Sequence, residues 1–104
     1  MIVKRRPHHD LGRVKAKFES VETLEMTTTA FRSAQALGFG LAEMVEVVKA
    51  LEPEDFVKSE TAHSPPNSRR WHDTYVIPFD GRDLYLKFAG ETLVDLVLAS
   101  FKEA

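Results

Sequence analysis

At 104 residues and 11.8 kDa the chain can bury one hydrophobic core and not two, so a single domain over residues 1–104 is expected. With 43% hydrophobic and 29% charged residues it is too apolar for a disordered chain, and the lack of cysteine excludes disulfide staples, Cys-ligated zinc and thiol chemistry. The net charge of −2 conceals an asymmetry: residues 1–17 carry six bases and one acid, residues 18–57 two bases and eight acids, so a locally positive face is expected on a protein that is not globally basic.

Helices come first and strands second. Leu11, Val14 and Phe18 lie three and four apart and share one face, which predicts a first helix over residues 8–19, with Pro7 tolerated in its first turn. A short extended piece is expected at residues 24–26. Thr27 or Thr28 suits the N-cap of a second helix, because its hydroxyl can accept from an unpaired backbone N–H. Ala30, Phe31, Ala34 and Leu37 form the apolar stripe of that helix, and Gly38 suits its left-handed C-terminal cap. After the short link Phe39-Gly40, a third helix carries Leu41, Met44, Val45, Val48 and Leu51 and stops at Pro53.

The pattern then changes. Residues 56–63 read as a strand, residues 64–68 as a mobile loop, and residues 71–77 as a strand bounded by Pro78. Asp80-Gly81 is a hairpin signal. Residues 84–89 alternate, with Leu84, Leu86 and Phe88 on one face and Tyr85 and Lys87 on the other. Gly90-Glu91 is a second turn. Residues 92–102, apolar at nearly every position, read as a central strand, with a helix as the competing assignment. Strands joined by short turns give an antiparallel sheet, and helices grouped ahead of them cover one face. The expected fold class is α+β.

The turn sets the hairpin register. With Asp80 and Gly81 as the two turn residues, Phe79 pairs with Arg82, Val76 with Tyr85 and Thr74 with Lys87. His72, Thr74, Tyr85 and Lys87 then share the face opposite Leu84, Leu86 and Phe88. His72 lies four residues along from the partner of Tyr85, roughly 13 Å at the usual strand rise, so these side chains line a groove instead of forming a tight triad. Lys58 from the preceding strand and Lys102 from the last can reach the same groove. Cations beside a group that titrates near neutrality suit metal-free phosphodiester cleavage. Fixed cations stabilise the charge gained in the transition state, while an acid and a base serve the leaving 5′-oxygen and the 2′-hydroxyl. Lysines and tyrosines on an exposed sheet face are most often plain solvated surface, so this pattern alone does not establish a site. His8-His9-Asp10 reads as a polar helix start, His63 and His72 lack ligand spacing, and no metal or other cofactor is expected.

Several pieces along the chain look familiar in combination. They are Lys4-Arg5, Pro7-His8, Leu11 and Val14-Lys15, then Thr27-Thr28 before an alanine-rich helix with Leu37-Gly38. Asp55-Phe56, Lys58-Ser59, Trp71 with Asp73 and Tyr75, Tyr85-Leu86-Lys87 and Ser100-Phe101-Lys102-Glu103 follow. In this order and spacing the chain resembles the MqsR-type (motility quorum-sensing regulator) toxins of type II toxin–antitoxin systems. The resemblance implies a RelE-like α+β fold. It implies an mRNA interferase, a ribosome-independent endoribonuclease that cuts single-stranded mRNA at short GC-containing sequences. It also implies a cognate antitoxin partner, often with a zinc-binding N-terminal and a DNA-binding C-terminal domain. The family's active-site lysine falls on Lys58, its tyrosine on Tyr85 and its C-terminal lysine on Lys102. A fourth position, usually glutamine, is His72 here.

With that resemblance, Lys58, His72, Tyr85 and Lys102 become the expected catalytic set and Lys87 an RNA contact. Arg6, Arg13 and Lys17 stay open between RNA contact and plain solvation. Trp71 is expected in the core and not as a base-stacking platform. Two other classes stay open: a catalytically idle relative that holds RNA or a partner through the same groove, and an interaction domain whose basic arm docks an acidic partner. The N-terminal segment lacks the apolar stretch of a secretory signal, and the longest apolar run, residues 96–99, is too short to cross a bilayer. A cytoplasmic protein without membrane contact is therefore expected.

Overall fold

A computed structural model describes residues 2–63 and 65–104. Its five strands are β1 (Val3–Lys4), β2 (Phe56–His63), β3 (Pro66–Phe79), β4 (Arg82–Gly90) and β5 (Val97–Glu103). They form one antiparallel sheet in the order β1-β2-β3-β4-β5. Three helices, α1 (Leu11–Lys17), α2 (Thr28–Ala36) and α3 (Leu41–Ala50), pack on one face. The expected α+β class, with helices ahead of the sheet, is what the chain adopts. No helix is long and apolar enough to cross a membrane among the described residues.

The core lies between that face and the helices. Val14 and Phe18, Ala30 and Ala34, and Met44, Val45, Val47 and Val48 meet Tyr75, Ile77, Leu84, Leu86, Phe88, Leu98 and Phe101. The alternation of β4 explains this directly: Leu84, Leu86 and Phe88 are fully buried, while Tyr85 and Lys87 project from the opposite face. The hairpin has the expected register, with Phe79 opposite Arg82, Val76 opposite Tyr85 and Thr74 opposite Lys87. Asp80 and Gly81 have φ of 55° and 84°, the left-handed pair that a two-residue turn between twisted strands requires.

Helix α1 is shorter than the expected residues 8–19, for a local reason. The backbone N–H groups of His8 and His9 donate to the Asp73 carboxylate at 3.2 and 2.9 Å, which holds that segment out of the helix. Asp10 then caps α1, accepting from the Arg13 N–H at 3.0 Å. Thr27 caps α2 as expected, accepting from Ala30 N–H at 3.1 Å. Gly38 follows α2 with φ of 91°, and Phe39 N–H returns to Ala34 O at 2.9 Å.

The last segment corrects the expectation of a central strand over residues 92–102. Asp95 gathers the N–H groups of Glu91 and Thr92 at 2.9 and 2.7 Å and the Thr92 hydroxyl at 3.0 Å. This folds residues 91–96 into a turn, and β5 begins only at Val97, at the sheet edge. Gly90 is needed there because a Cβ would come within 2.8 Å of the Leu96 backbone. The segment is apolar because Leu96, Leu98 and Phe101 are buried under the helices, not because sheet neighbours flank it on both sides. The expected extended piece at residues 24–26 covers part of this edge: Met26 bridges Leu98, and Leu98 N–H donates to Glu25 O at 2.9 Å.

The expected loop over residues 64–68 is also revised. Ser64 lies outside the described residues, and Pro66, Asn67 and Ser68 already belong to β3, with Pro66 opposite His63 and Asn67 opposite Ala62. Ser68, Arg69 and Arg70 interrupt the pairing before it resumes at Trp71. Sequence reading found only the regular part of this strand.

Candidate active site on the open sheet face

Residues opposed across a sheet share a face, so the register defines what the helix-free side presents. One rung runs Lys58, Thr74, Lys87, Ser100 across β2 to β5. The next rung towards the hairpin turn holds Val76, Tyr85 and Lys102, and the rung on the other side holds Glu60, His72, Ala89 and Val97. Lys58, His72, Tyr85, Lys87 and Lys102 therefore all project from one face, as the sequence predicts. Among the described residues this site is an open surface, with no enclosed cavity.

The face divides into two groups. At one end Lys102 sits with its Nζ 5.0 Å from the Tyr85 ring centroid, and Lys87 approaches the same ring at 6.0 Å. Both are near enough for cation–π attraction. At the other end Lys58 Nζ lies 3.5 Å from a Glu60 carboxylate oxygen, whose side chain is only 13% exposed. His72 is opposite Glu60. The groove separation expected between His72 and Tyr85 is present, with Lys87 between them. The floor of the groove includes Thr74, whose hydroxyl is buried without a hydrogen-bond partner among the described residues.

His72 holds its proton less tightly than a free histidine. Burial is the main cause, followed by the charges of Lys87 and Arg70, while Glu60 pulls the other way. The imidazole is thus neutral at pH 7 and carries one donor and one acceptor nitrogen. Lys87 is the lysine that depresses it most; Lys58 stands equally one step from the rung of His72, on the other adjacent strand, but its charge is paired with Glu60 at 3.5 Å.

Sequence reading missed Glu60. Its position opposite His72 follows only from the β2–β3 register, and that pairing is irregular on both sides, between Phe56 and Lys58 and between Thr61 and Ala62. A bulge shifts every later side chain by one place, so local sequence does not reveal the partner.

Arg6, Arg13 and Lys17 lie outside the strands that form this face. Lys17 is engaged within the chain: its ammonium donates to the carbonyls of Leu93, Val94 and Leu96 at 2.5, 3.1 and 2.9 Å and lies 3.5 Å from Glu25. It ties α1 to the turn before β5. Arg13 is exposed on α1, in the helical layer behind the sheet, and Arg6 is exposed between β1 and α1.

The expectation for Trp71 is corrected. It is half-buried and outside the core cluster. Its ring stacks on His8 at 4.9 Å between centroids and 11° between planes, and Lys4 Nζ stands 4.2 Å from its centroid. Lys4 Nζ is also 3.0 Å from His8 Nδ1. Below them Asp73, 1% exposed, accepts from His8 and His9 N–H and from the Ser59 hydroxyl at 2.5 Å. This cluster fastens the N-terminal arm to the sheet.

Fold and site together define a small α+β domain with a helical back and one polar, lysine-lined sheet face. The family model described as motility quorum-sensing regulator, toxin of MqsA, matches residues 6–103. The chain is 33% identical over 100 residues to the mRNA interferase toxin MqsR of Escherichia coli (strain K12), a match that covers 96% of this chain and 97% of that protein. The chain belongs to the motility quorum-sensing regulator toxin family, as its resemblance implies.

Proposed function

We propose that this protein is a ribosome-independent mRNA interferase. It cleaves single-stranded RNA at short GC-containing sequences by metal-free transphosphorylation, works in the cytoplasm and is neutralised by a cognate antitoxin. The observation that carries this reading is the convergence of Lys58, His72, Tyr85, Lys87 and Lys102 on one open face, in a chain of a toxin family with a relative named as an mRNA interferase.

The chemistry requires the 2′-oxygen to attack phosphorus as the bond to the 5′-oxygen breaks. The 2′-hydroxyl proton leaves to a base, the 5′-oxygen gains one from an acid, and the products are a 2′,3′-cyclic phosphate and a 5′-hydroxyl. Lys58 and Lys102 stand three strand spacings and one two-residue step apart, roughly 16 Å between backbones. Each lysine reaches about 6 Å from its Cα, so the two ammoniums can approach one phosphate from opposite sides. They and Lys87 stabilise the charge developing on its oxygens. Tyr85 orients the phosphate or donates a proton. Neutral His72 hydrogen-bonds near the scissile phosphate, a task the family's glutamine can share.

A binding-only reading is favoured by one observation, the separation of His72 from Tyr85 by roughly four residues of strand, or about 13 Å. Purified protein, a mixed-sequence RNA and excess EDTA decide between the two. Cleavage leaving 2′,3′-cyclic ends supports the interferase. A gel shift without cleavage, or cleavage that needs added magnesium, overturns it. In cells, growth arrest on expression, relieved by Lys58→Ala or Tyr85→Ala, is the matching outcome.

A further inference from the structure

We propose that the Thr74 hydroxyl is a phosphate ligand: it donates to a non-bridging oxygen of the scissile phosphate, at the floor of a slot walled by Lys58 and Lys87. That this phosphate is the scissile one rests on the interferase reading; the phosphate contact itself does not.

Thr74 is 1% exposed, and its hydroxyl has no hydrogen-bond partner among the described residues. Such a group costs stability, because folding strips its water and returns no bond. A valine of the same shape would serve the free protein better. One other buried side-chain oxygen among the described residues is unpartnered, the Tyr75 hydroxyl. Tyr75 sits on the helix side against Phe56 and Phe88, within the core. Thr74 alternates with it along β3 and so faces the open side, where RNA can approach.

Its neighbours suit an anion. Thr74 is the direct cross-strand partner of Lys58 on one side and of Lys87 on the other. The two lysines are therefore two strand spacings apart, about 9–10 Å between backbones. The thickness of their stems takes up about 4 Å of that, which leaves a slot of roughly 5–6 Å, enough for one phosphate group. Both lysines are half-buried, so their stems line the slot while the ammoniums stand above its floor. A phosphate in the slot meets a cation on each side and a neutral donor beneath. In the free protein Lys58 Nζ lies 3.5 Å from a Glu60 oxygen, and Lys87 Nζ lies 6.0 Å from the Tyr85 ring centroid. These are weak restraints on long side chains, so a phosphate can draw both ammoniums onto itself and uncover the hydroxyl. The hydroxyl hydrogen rotates to suit its acceptor, and its bond strengthens as charge builds on the non-bridging oxygens.

The test separates a ligand from a structural group. For the full chain, as wild type, Thr74→Val and Thr74→Ser, two quantities are measured: the urea midpoint, and the affinity for a mixed-sequence single-stranded RNA made non-cleavable by 2′-fluoro substitution. Thr74→Val is expected to raise the midpoint and weaken binding about 10-fold, the worth of a hydrogen bond to a charged group, while Thr74→Ser keeps most of the affinity. A hydroxyl displaces no counterion, so log affinity against log salt should keep its wild-type slope in Thr74→Val, whereas Lys58→Met should lower the magnitude of that slope by about 0.7. On cleavable RNA, kcat/KM should fall at least about 10-fold in Thr74→Val. Unchanged affinity in Thr74→Val overturns the inference. So does a loss of affinity together with stability, or with a changed salt slope, because either makes the hydroxyl a support for the strand or for the lysines. Serine as weak as valine, or a wild type that binds no RNA, overturns it too. Weaker binding with unchanged kcat/KM overturns its assignment to the scissile phosphate. If Thr74→Val loses affinity as expected but the wild type never cleaves RNA, the interferase reading fails and the phosphate contact stands.

Discussion

Replacing Asp73 by alanine tests whether the N-terminal arm is held by one buried carboxylate. Asp73 is 1% exposed and accepts from two backbone N–H groups and the Ser59 hydroxyl, at 3.2, 2.9 and 2.5 Å. Alanine removes all three bonds and strands their donors beside a buried position. A buried donor left without a partner costs about 1–3 kcal/mol. The three share one acceptor and are not independent, so about 3–5 kcal/mol is expected for the set. Total stability for a domain of this size is roughly 5–15 kcal/mol, and each kcal/mol moves Tm by about 4–8 °C. Asp73→Ala should therefore lower Tm by at least about 12 °C. Asp73→Asn keeps one acceptor oxygen and should lose roughly half as much. Thermal unfolding followed by circular dichroism measures both, and hydrogen exchange at the His8 and His9 amides reports whether the arm has been released. A loss below about 3 °C in Asp73→Ala, with those amides still protected, would refute the reasoning.

If His72 acts by hydrogen bonding, His72→Gln should keep much of the cleavage activity and His72→Ala should lose more. If it transfers the proton, His72→Gln should cost on the order of 100-fold, and a glutamine enzyme as dead as the alanine one would settle that. Because burial and Lys87 lower its pKa, His72 stays neutral at pH 7, and the acid limb of the wild-type rate should fall below about pH 6.5; His72→Gln should abolish that limb. Lys17→Met should lower stability by about 1–3 kcal/mol through loss of its bonds to the turn before β5, with KM for RNA unchanged; a rise in KM at constant Tm would restore it as an RNA contact. Thr74→Val removes a buried hydroxyl without a partner and should raise stability by about 1 kcal/mol, read as a higher urea midpoint, whereas a fall would show that the hydroxyl is satisfied in solution.

Much of the fold is local and therefore visible in the amino-acid sequence. The alternation at Leu84, Leu86 and Phe88 against Tyr85 and Lys87, the cap at Thr27 and the Asp80-Gly81 turn each depend on neighbours a few residues away. The turn alone sets the pairing of β3 with β4, and with it the shared face of His72, Tyr85 and Lys87. Strand order put Lys58 and Lys102 within reach of that face, and family likeness made them expected site residues. What tertiary structure alone decided depends on partners distant in sequence. Helix α1 starts late because Asp73, more than sixty residues on, holds the amides of His8 and His9. Lys17 is diverted to the carbonyls of residues 93, 94 and 96, although its charge alone is equally suited to RNA. Trp71 leaves the core because Lys4 and His8 come to lie on its ring. β5 is an edge strand because residues 24–26 and the helices bury apolar side chains that sheet neighbours bury elsewhere. Glu60 faces His72 only after irregular pairing on both sides of the regular β2–β3 stretch sets the register. A bulge changes side-chain facing by one residue, and nothing within a single strand states where its partner places that extra residue.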